Sequence, residues 1–599
     1  MMTRPSASRT AARPVFDPAP RQAVLQALAA TWGRKPRAVV LEIGFDAGLS
    51  VLAALQHWRD DPQRCAQVHW VSWLPEALAH THIAGGLQAA ACPPSLADAL
   101  LAVWPPALPG LYRRSLQGVP WWISLAMGRA AQVFNGCVQE ADFLLVGLAE
   151  TPLPEEAAVL RRAVQMLALN APVCVRPLPG QVLRSERLEA VRAAIESAGG
   201  RLDSTHDDVW LFRRQHGRSR IDPVRATDAS RALVVGGGLA GVAVAFSLAR
   251  RGWQVDRLEG AVPAASLQPV LAQHPSLSID DAPLSQMTRA ATLLSEGDPA
   301  LRSVMRWEGR IQLADPQTVA SVCAGMPRDW VEGVDARQAS ERAGIGLRQG
   351  GWWLPRVGSV EPLSLREAWT PSSVQVQSGA LLALLTQQDG EWLAQDHAGQ
   401  LLARAPLAVL APGAGDVAVQ AAHEPQPRTL SERLATAGLQ WRAGQSTIAQ
   451  VPDGQVPRCI VGGVGHAVRL DAHRLLLGPG PQTDTGEACA AAWSRWIAGQ
   501  SEPHPAIRLV PGPRGIRLST RDHLPLIGPV PAAPLHGFQD PERPRSLSGL
   551  WMAWALGGRG LLWASLAGEL ITARLMGEPL PLSPWLAARL DPLRFLKTT

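Results

Sequence analysis

The chain has 599 residues, 47% of them hydrophobic and 18% charged, and a formal net charge of +6. That length exceeds a single hydrophobic core, so two or three domains are expected, and the composition describes an ordinary globular protein. Seven cysteines, odd in number and without CxxC spacing, speak against a disulfide framework and against a zinc site.

Residues 1–34 carry arginines and small residues but no apolar core of a secretory signal, so a soluble cytoplasmic protein is expected. Lysine occurs only at Lys35 and Lys597. A GC-rich coding sequence explains that arginine bias, and the basic surplus is also compatible with a polyanionic partner. Most tryptophans sit in apolar runs, which fits core packing better than base stacking.

The first ordered segment, Arg37 to Ser50, reads as a hydrophobic strand running into Glu42-Ile43-Gly44-Phe45-Asp46-Ala47-Gly48. A helix-like stretch follows from Leu49 to Trp58. Strand-like runs recur at Val68–Trp73, Phe143–Gly147 and Val173–Arg176, separated by helical segments such as Glu155–Leu167. Alternation of this kind indicates a parallel, doubly wound sheet. The E-x-G-x-x-x-G turn resembles the nucleotide-side loop of S-adenosylmethionine-dependent methyltransferases, which makes Glu42, Gly44 and Gly48 candidates for that cosubstrate. An acid at the end of the second strand would hold its ribose. Leu74 stands there instead, and no carboxylate appears before Glu76.

Residues Leu211 to Arg225 are arginine-rich and lack apolar periodicity. They read as an exposed basic linker, at 215–229, between an N-terminal part at 1–214 and a C-terminal part at 230–599.

The C-terminal part opens on Ala232-Leu-Val-Val-Gly-Gly-Gly-Leu-Ala-Gly241, an apolar helix, Arg250-Arg251, and a second strand ending in Leu258-Glu259. This is the pattern of a dinucleotide-binding βαβ unit. Gly236 permits the tight turn, Gly238 lets the backbone approach a pyrophosphate, and Gly241 allows close helix-to-strand packing. The helix N-terminus offers free N–H groups to the phosphates. Glu259 can accept both hydroxyls of an adenosine ribose, so FAD or NAD is favoured over NADP. The run is nearly long enough for a membrane span, but three consecutive glycines and the two arginines argue against one.

The two parts and the motifs behind them resemble the bifunctional tRNA 5-methylaminomethyl-2-thiouridine biosynthesis family, a methyltransferase fused to an FAD-dependent oxidoreductase. The residues that carry the resemblance are Gly350 to Pro362, Arg442-Ala443-Gly444-Gln445, Arg517 to Gly528, Ala555 to Leu561 and Gly577 to Pro581. The resemblance implies an α/β Rossmann-like methyltransferase domain followed by an α+β FAD-binding oxidoreductase. The FAD-binding part would take about 230–290 and 510–599, with an inserted mixed-sheet substrate domain between them. It implies FAD as cofactor, S-adenosylmethionine as cosubstrate and tRNA as partner, with neither metal nor membrane. The flavin half would remove the carboxymethyl group of 5-carboxymethylaminomethyl-uridine at the wobble position as glyoxylate, and the other half would methylate the exposed amine.

Gly557, Gly558 and Gly560 form a turn whose N–H groups suit a flavin pyrimidine. Arg517, Arg521 and Arg559 are candidates for a substrate carboxylate, and a surface salt bridge is the alternative for each. Asp522 and His523 can simply order their loop. The family's glycine loop reads G-F-G-T-G, against Gly44-Phe45-Asp46-Ala47-Gly48 here, and its amine-site aspartate is replaced by Val146. Beyond Glu259, only part of the family's small-residue loop survives at Ala265 to Ala272. Two other readings stay open: an amine or amino-acid oxidase carrying a methyltransferase-like scaffold, and a noncatalytic tRNA-binding remnant.

Overall fold

The computed structural model describes residues 22–33, 35–116, 119–206, 208–216, 231–260, 268–452, 454–463, 465–478, 491, 493–497, 507–532 and 546–595. Most of the linker expected at 215–229, and Ala265 to Leu267 of the loop beyond Glu259, lie outside them. The chain forms two compact units, Met1–Pro109 with Arg114–Ile221, and Gly110–Arg113 with Asp222–Thr599.

In the first unit the apolar, β-branched runs become strands β1 (Arg37–Ile43), β2 (Gln67–Leu74), β3 (Trp121–Met127), β4 (Phe143–Leu148) and β5 (Pro172–Pro177). A closing hairpin consists of β6 (Gly200–His206) and β7 (Val209–Arg214). They lie side by side in the order β3-β2-β1-β4-β5-β7-β6. All seven residues of β3 and all six of β4 are buried, as strands covered on both faces must be. The pairings from β3 across to β5 are parallel, but β7 runs antiparallel to β5 and to β6. The expected all-parallel sheet is corrected to a mixed one. The short connection between β6 and β7 permits only a hairpin, which is antiparallel by construction.

The second unit holds two large sheets. The first, six-stranded, runs in the order Val374–Ser378, Gln254–Glu259, Arg231–Val235, Leu407–Leu410, Ser546–Trp554, Leu526–Pro531. Its first five strands are parallel and the last is antiparallel. Two of these strands come from the middle of the chain, outside the expected 230–290 and 510–599. The βαβ unit alone leaves both edges of its strand pair unpaired, and a doubly wound sheet must cover them. The second sheet, eight-stranded, ends on a long ribbon of Gln440–Gln450 paired with the edge strand Arg508–Ser519.

Helix Gly560–Met576 is buried along almost its whole length and packs on helix Leu239–Ala249. The backbones come close: a Cβ at Gly568 would lie 2.6 Å from the Ala243 carbonyl oxygen. Glu569 interrupts this apolar packing. Its carboxylate accepts hydrogen bonds from Ser247 Oγ at 2.6 Å, from Arg250 at 2.6 Å and from Arg251 at 2.7 Å. Burial pushes that carboxyl up, but Arg251 and Arg250 override it and hold it well below the ordinary range. Arg250 and Arg251 therefore clamp the helix that follows the glycine turn onto the C-terminal helix.

Candidate active site and cofactor cradle

The strand Arg231–Val235 delivers the glycine turn at its carboxyl end. Gly236 has φ 130°, and a Cβ there would sit 2.1 Å from the Ala411 carbonyl oxygen, so only glycine fits. Gly241 is equally confined, with its Cβ position 2.0 Å from the Gly236 carbonyl oxygen. Gly238 caps helix Leu239–Ala249 and opens onto a cavity of about 250 Å³. The glycine-rich turn at the start of Gly560–Met576 meets the same cavity through Gly557, Gly558 and Gly560. Two helix N-termini thus face one space.

The residues present fit a dinucleotide. An added Cβ at Gly413 or Gly560 would find no protein atom within 4 Å, so there is ligand room beside each. One detail corrects the sequence reading: the Gly557 amide donates to the Leu518 carbonyl at 3.0 Å. The donors left for a ligand are those of the residues behind it at the helix start. Glu259 ends its strand beside the turn, but its carboxylate already accepts from Arg257 Nε at 3.0 Å and from Arg366 at 3.0 Å. Arg366 also reaches its Oε1 at 3.1 Å and Ser378 Oγ lies 3.5 Å from its Oε2, so a ribose hydroxyl must replace one of these contacts. The two guanidiniums offset its charge, and repulsion by Glu259 alone no longer explains a preference against a phosphorylated ribose.

Where the cavity runs against the eight-stranded sheet, it becomes cationic. Arg310, Arg517, His274 and His466 line it, and among the described residues no aspartate or glutamate does. Arg517 lies between the two sides: a Cβ at Gly444 would sit 3.1 Å from its Nη2 and one at Gly558 would sit 3.6 Å from its Nη1. Arg310 is fully buried, donates to Gln312 Oε1 at 2.8 Å, and leaves its Nε without a partner. Burial and the neighbouring Arg559 push its pKa down to about 10. The His466 imidazole is pushed down to about 4 by burial and by Arg310 and Arg517. His274 is held well below its ordinary range, first by Arg310 and then by burial. Both histidines are therefore neutral near pH 7 and offer a lone pair.

Of the three arginines marked in sequence, Arg517 lines the cavity and Arg559 stands beside it, donating through Nε to the His274 carbonyl at 3.1 Å. Arg521 is a correction. It does not line the cavity, and its guanidinium lies over the Phe595 ring at 5.3 Å, a cation–π contact that holds it there. Asp522 orders its loop, accepting from Thr520 Oγ1 at 2.7 Å and from Arg594. Arg442-Ala443-Gly444-Gln445 lies within the strand Gln440–Gln450. Gly350 to Pro362 contributes only from behind, as Ser359–Val360 pairs with Leu271–Ala272 at the cavity wall. Arg310 and His466 gave no local signal in the sequence, since only the sheet topology brings their strands to the turn.

The other glycine turn, in the first unit, is built differently. Glu42 is completely buried and accepts from Trp70 Nε1 at 2.8 Å and Ser72 Oγ at 2.5 Å. Burial, with Asp46 adding to it, pushes its carboxyl up to about 8. Asp46 accepts from the Ser50 amide at 2.9 Å and from Arg176 at 2.7 Å. Phe45 packs against Trp104 with ring centroids 5.7 Å apart, and a Cβ at Gly48 would strike Leu100 Cδ2 at 2.3 Å. Leu74 and Val146 are both buried apolar residues.

Residues 231–574 match the family model described as FAD dependent oxidoreductase. The tRNA 5-methylaminomethyl-2-thiouridine biosynthesis bifunctional protein of Cupriavidus necator is 32% identical over 94% of this chain and 91% of its own length. That of Burkholderia multivorans is 33% identical over 95% and 91%. Among solved structures, glycine oxidase from Geobacillus kaustophilus is similar at 20% identity and a TM-score of 0.45, covering 62% of this chain and 99% of its own. A glycine turn and a cationic cavity that fit a flavin and an acidic substrate, within a match spanning nearly the whole chain, place it in one family. The chain belongs to the tRNA 5-methylaminomethyl-2-thiouridine biosynthesis bifunctional proteins, and its second unit is an FAD-dependent oxidoreductase.

Proposed function

We propose that this protein oxidises the carboxymethylaminomethyl group of a tRNA wobble uridine in the cytoplasm and releases the aminomethyl base without methylating it. The observation that carries the first half is the lining of the cavity: two arginines and two neutral histidines, with no carboxylate among the described residues to compensate them. Uncompensated guanidiniums call for an anionic ligand, and a carboxylate matches their planar donor geometry. Arg310 and Arg517 hold the carboxylate of the substrate, with Arg559 adding positive charge beside it.

The same field acts on the substrate amine. Like charges nearby disfavour an ammonium, so the amine sits in the cavity with its lone pair free, which removal of hydride from the adjacent carbon requires. Gly236, Gly238, Gly241 and Glu259 would hold the adenine and pyrophosphate end of FAD, and Gly558 and Gly560 its pyrimidine edge. Bound there, FAD would supply the acceptor for the hydride, two electrons and one proton, that leaves the C–H bond of the carbon beside the amine nitrogen. The oxidised substrate is an imine, and addition of water divides it into glyoxylate and the aminomethyl-uridine. No helix among the described residues is long and apolar enough to cross a membrane.

The first unit supports the second half. Its glycine turn is filled by its own side chain at Asp46, while Glu42 Oε1 stays buried without a hydrogen-bond partner among the described residues. Burial and the neighbouring Asp46 raise the Glu42 carboxyl to about 8, which weakens it as an anion for the amine of S-adenosylmethionine. Asp46 takes the amide of Ser50 at the helix start and is neutralised by Arg176. Leu74 replaces the ribose acid. No methyl transfer is derived from this unit.

The test is nucleoside analysis by mass spectrometry after incubating the FAD-loaded protein with tRNA bearing 5-carboxymethylaminomethyl-uridine and with S-adenosylmethionine present. Aminomethyl-uridine should accumulate with one equivalent of glyoxylate. Unchanged nucleoside would reject the oxidation, and methylaminomethyl-uridine would reject the loss of methylation.

A further inference from the structure

The ribbon of Gln440–Gln450 and Arg508–Ser519 ends the eight-stranded sheet and also contributes Gly444, Gln445, Gly515, Ile516 and Arg517 to the cavity. Three properties set it apart. It carries Arg442, Arg508, Arg514 and Arg517, and neither strand contains an aspartate or glutamate. Among the described residues, none of these four arginines has a carboxylate partner. Arg442 and Arg517 are moreover direct cross-strand neighbours, a like-charge pairing that destabilises an antiparallel ladder unless an anion lies between them.

The opposite side of the ribbon is apolar and exposed. Trp441 is 43% exposed, the only tryptophan among the described residues that stands out this far, and Ile516 is 46% exposed. In the register, Ile516 pairs with Ala443, two residues from Trp441, so both side chains share a side, and Arg514 opposite Gln445 shares it too. The indole is fixed from behind, donating through Nε1 to the Ala414 carbonyl at 3.0 Å. A rigid exposed aromatic, with Arg514 on its side and Arg442 next to it in the strand, each bonded among the described residues only to a glutamine side chain, is a stacking platform beside phosphate contacts, the combination that grips single-stranded nucleic acid.

We propose that this ribbon is the docking surface for a single-stranded RNA loop. Trp441 stacks on the base next to the one entering the cavity, Arg514 on the same side bonds one phosphate, and Arg442 on the Arg517 side bonds the next where the backbone passes round the ribbon. The proposal rests on the substrate being a base within RNA. It adds where the RNA is held and by which residues. Continuity with the cavity supplies the geometry, since Ile516 shares Trp441's side of the ribbon and itself lines the cavity.

The experiment measures binding of a fluorescein-labelled anticodon stem-loop to the FAD-loaded full chain by anisotropy across a salt series, together with the oxidation rate on the free 5-carboxymethylaminomethyl-uridine nucleoside. Trp441→Ala should weaken RNA binding about tenfold, as loss of one stacked base does, and Trp441→Phe should restore most of it. The double variant Arg442→Gln, Arg514→Gln should lower the slope of log affinity against log salt by about 1.4, or about 0.7 for each lost phosphate. Flavin absorbance and nucleoside oxidation should stay unchanged in every variant. Unaltered RNA affinity in both the tryptophan and the arginine variants would overturn the proposal, as would parent protein that binds no RNA. So would a parallel fall in nucleoside oxidation, which would mark a structural role. RNA binding lost in the variants, from a parent that oxidises neither nucleoside nor tRNA, would uphold the surface and reject the proposed reaction.

Discussion

The two glycine turns of this chain start alike and diverge within three residues. Each follows a buried parallel strand, and each begins with a glycine jammed against a carbonyl of the next strand in the sheet: Gly236 against Ala411, Gly44 against Gly147. Two positions on, one has Gly238, which faces a cavity, while the other has Asp46, whose carboxylate bonds the following helix and Arg176. A helix N-terminus is an anion site only while its donors are free. The first turn opens onto the cavity at Gly238. The second spends one donor on its own side chain and packs Phe45 and Leu100 around the rest. The comparison teaches that a glycine fingerprint specifies the fold of a turn, whereas one side chain inside it decides whether a ligand can use it.

The largest expected effect lies at the open turn. Gly241→Val places carbon atoms where the Gly236 carbonyl already stands, an overpacking that costs about 3 kcal/mol or more at an incompressible backbone contact. The purified variant should be colourless, and retention of stoichiometric flavin would show that the turn is not the cradle.

Next comes the cationic wall. Arg517→Met should leave flavin absorbance intact while lowering kcat/KM on the carboxymethylaminomethyl substrate by a factor of about 100, the equivalent of losing a charged hydrogen bond of about 3 kcal/mol. An amine substrate lacking the carboxylate should be affected far less, and an equal fall for both would deny the clamp.

The plugged turn gives a sharper contrast. Calorimetric titration of the full chain with S-adenosylmethionine should release no heat of binding, with the Cupriavidus necator relative as a comparison protein. A low-micromolar affinity would erase the distinction between the two turns.

A smaller effect concerns pH. Glu42 has its carboxyl raised to about 8 from an ordinary 4.5, chiefly by burial. The folded state therefore holds a proton that the unfolded state has lost, and the stability from that proton is fully present below pH 4.5 and disappears as pH rises through about 8. Glu42→Gln should flatten the fall in the first unit's unfolding temperature between pH 5 and 9, followed by scanning calorimetry. An unchanged slope would assign the pH dependence to other groups.

The residues around both turns show how far the sequence reaches. The order strand, glycine, helix, strand, acid is local, and every contact that makes Gly236 and Gly241 obligatory lies near in the chain or in the adjoining strand, so the pattern could be read directly. Asp46 was visible as a departure from the family loop, but its partner Arg176 stands 130 positions away and gave no sign of pairing. Arg521 and Arg517 look equivalent four residues apart, yet one faces the cavity and the other covers Phe595. Arg310 and His466 had no motif at all. The exposed position of Trp441 also ran against the expectation that the tryptophans serve the core, an expectation that holds for Trp70, Trp121, Trp330, Trp392 and Trp554.

By itself, then, the sequence determined the two strand-turn-helix units, their glycines and the acid behind the second, because backbone sterics and hydrophobic periodicity act over a few residues. Only the tertiary structure decided which turn stays open, which arginines gather without counter-ions, and that a neutral His466 stands among them. Those outcomes depend on charges and side chains brought together from distant strands, where burial and mutual repulsion are set by neighbours that no local pattern names.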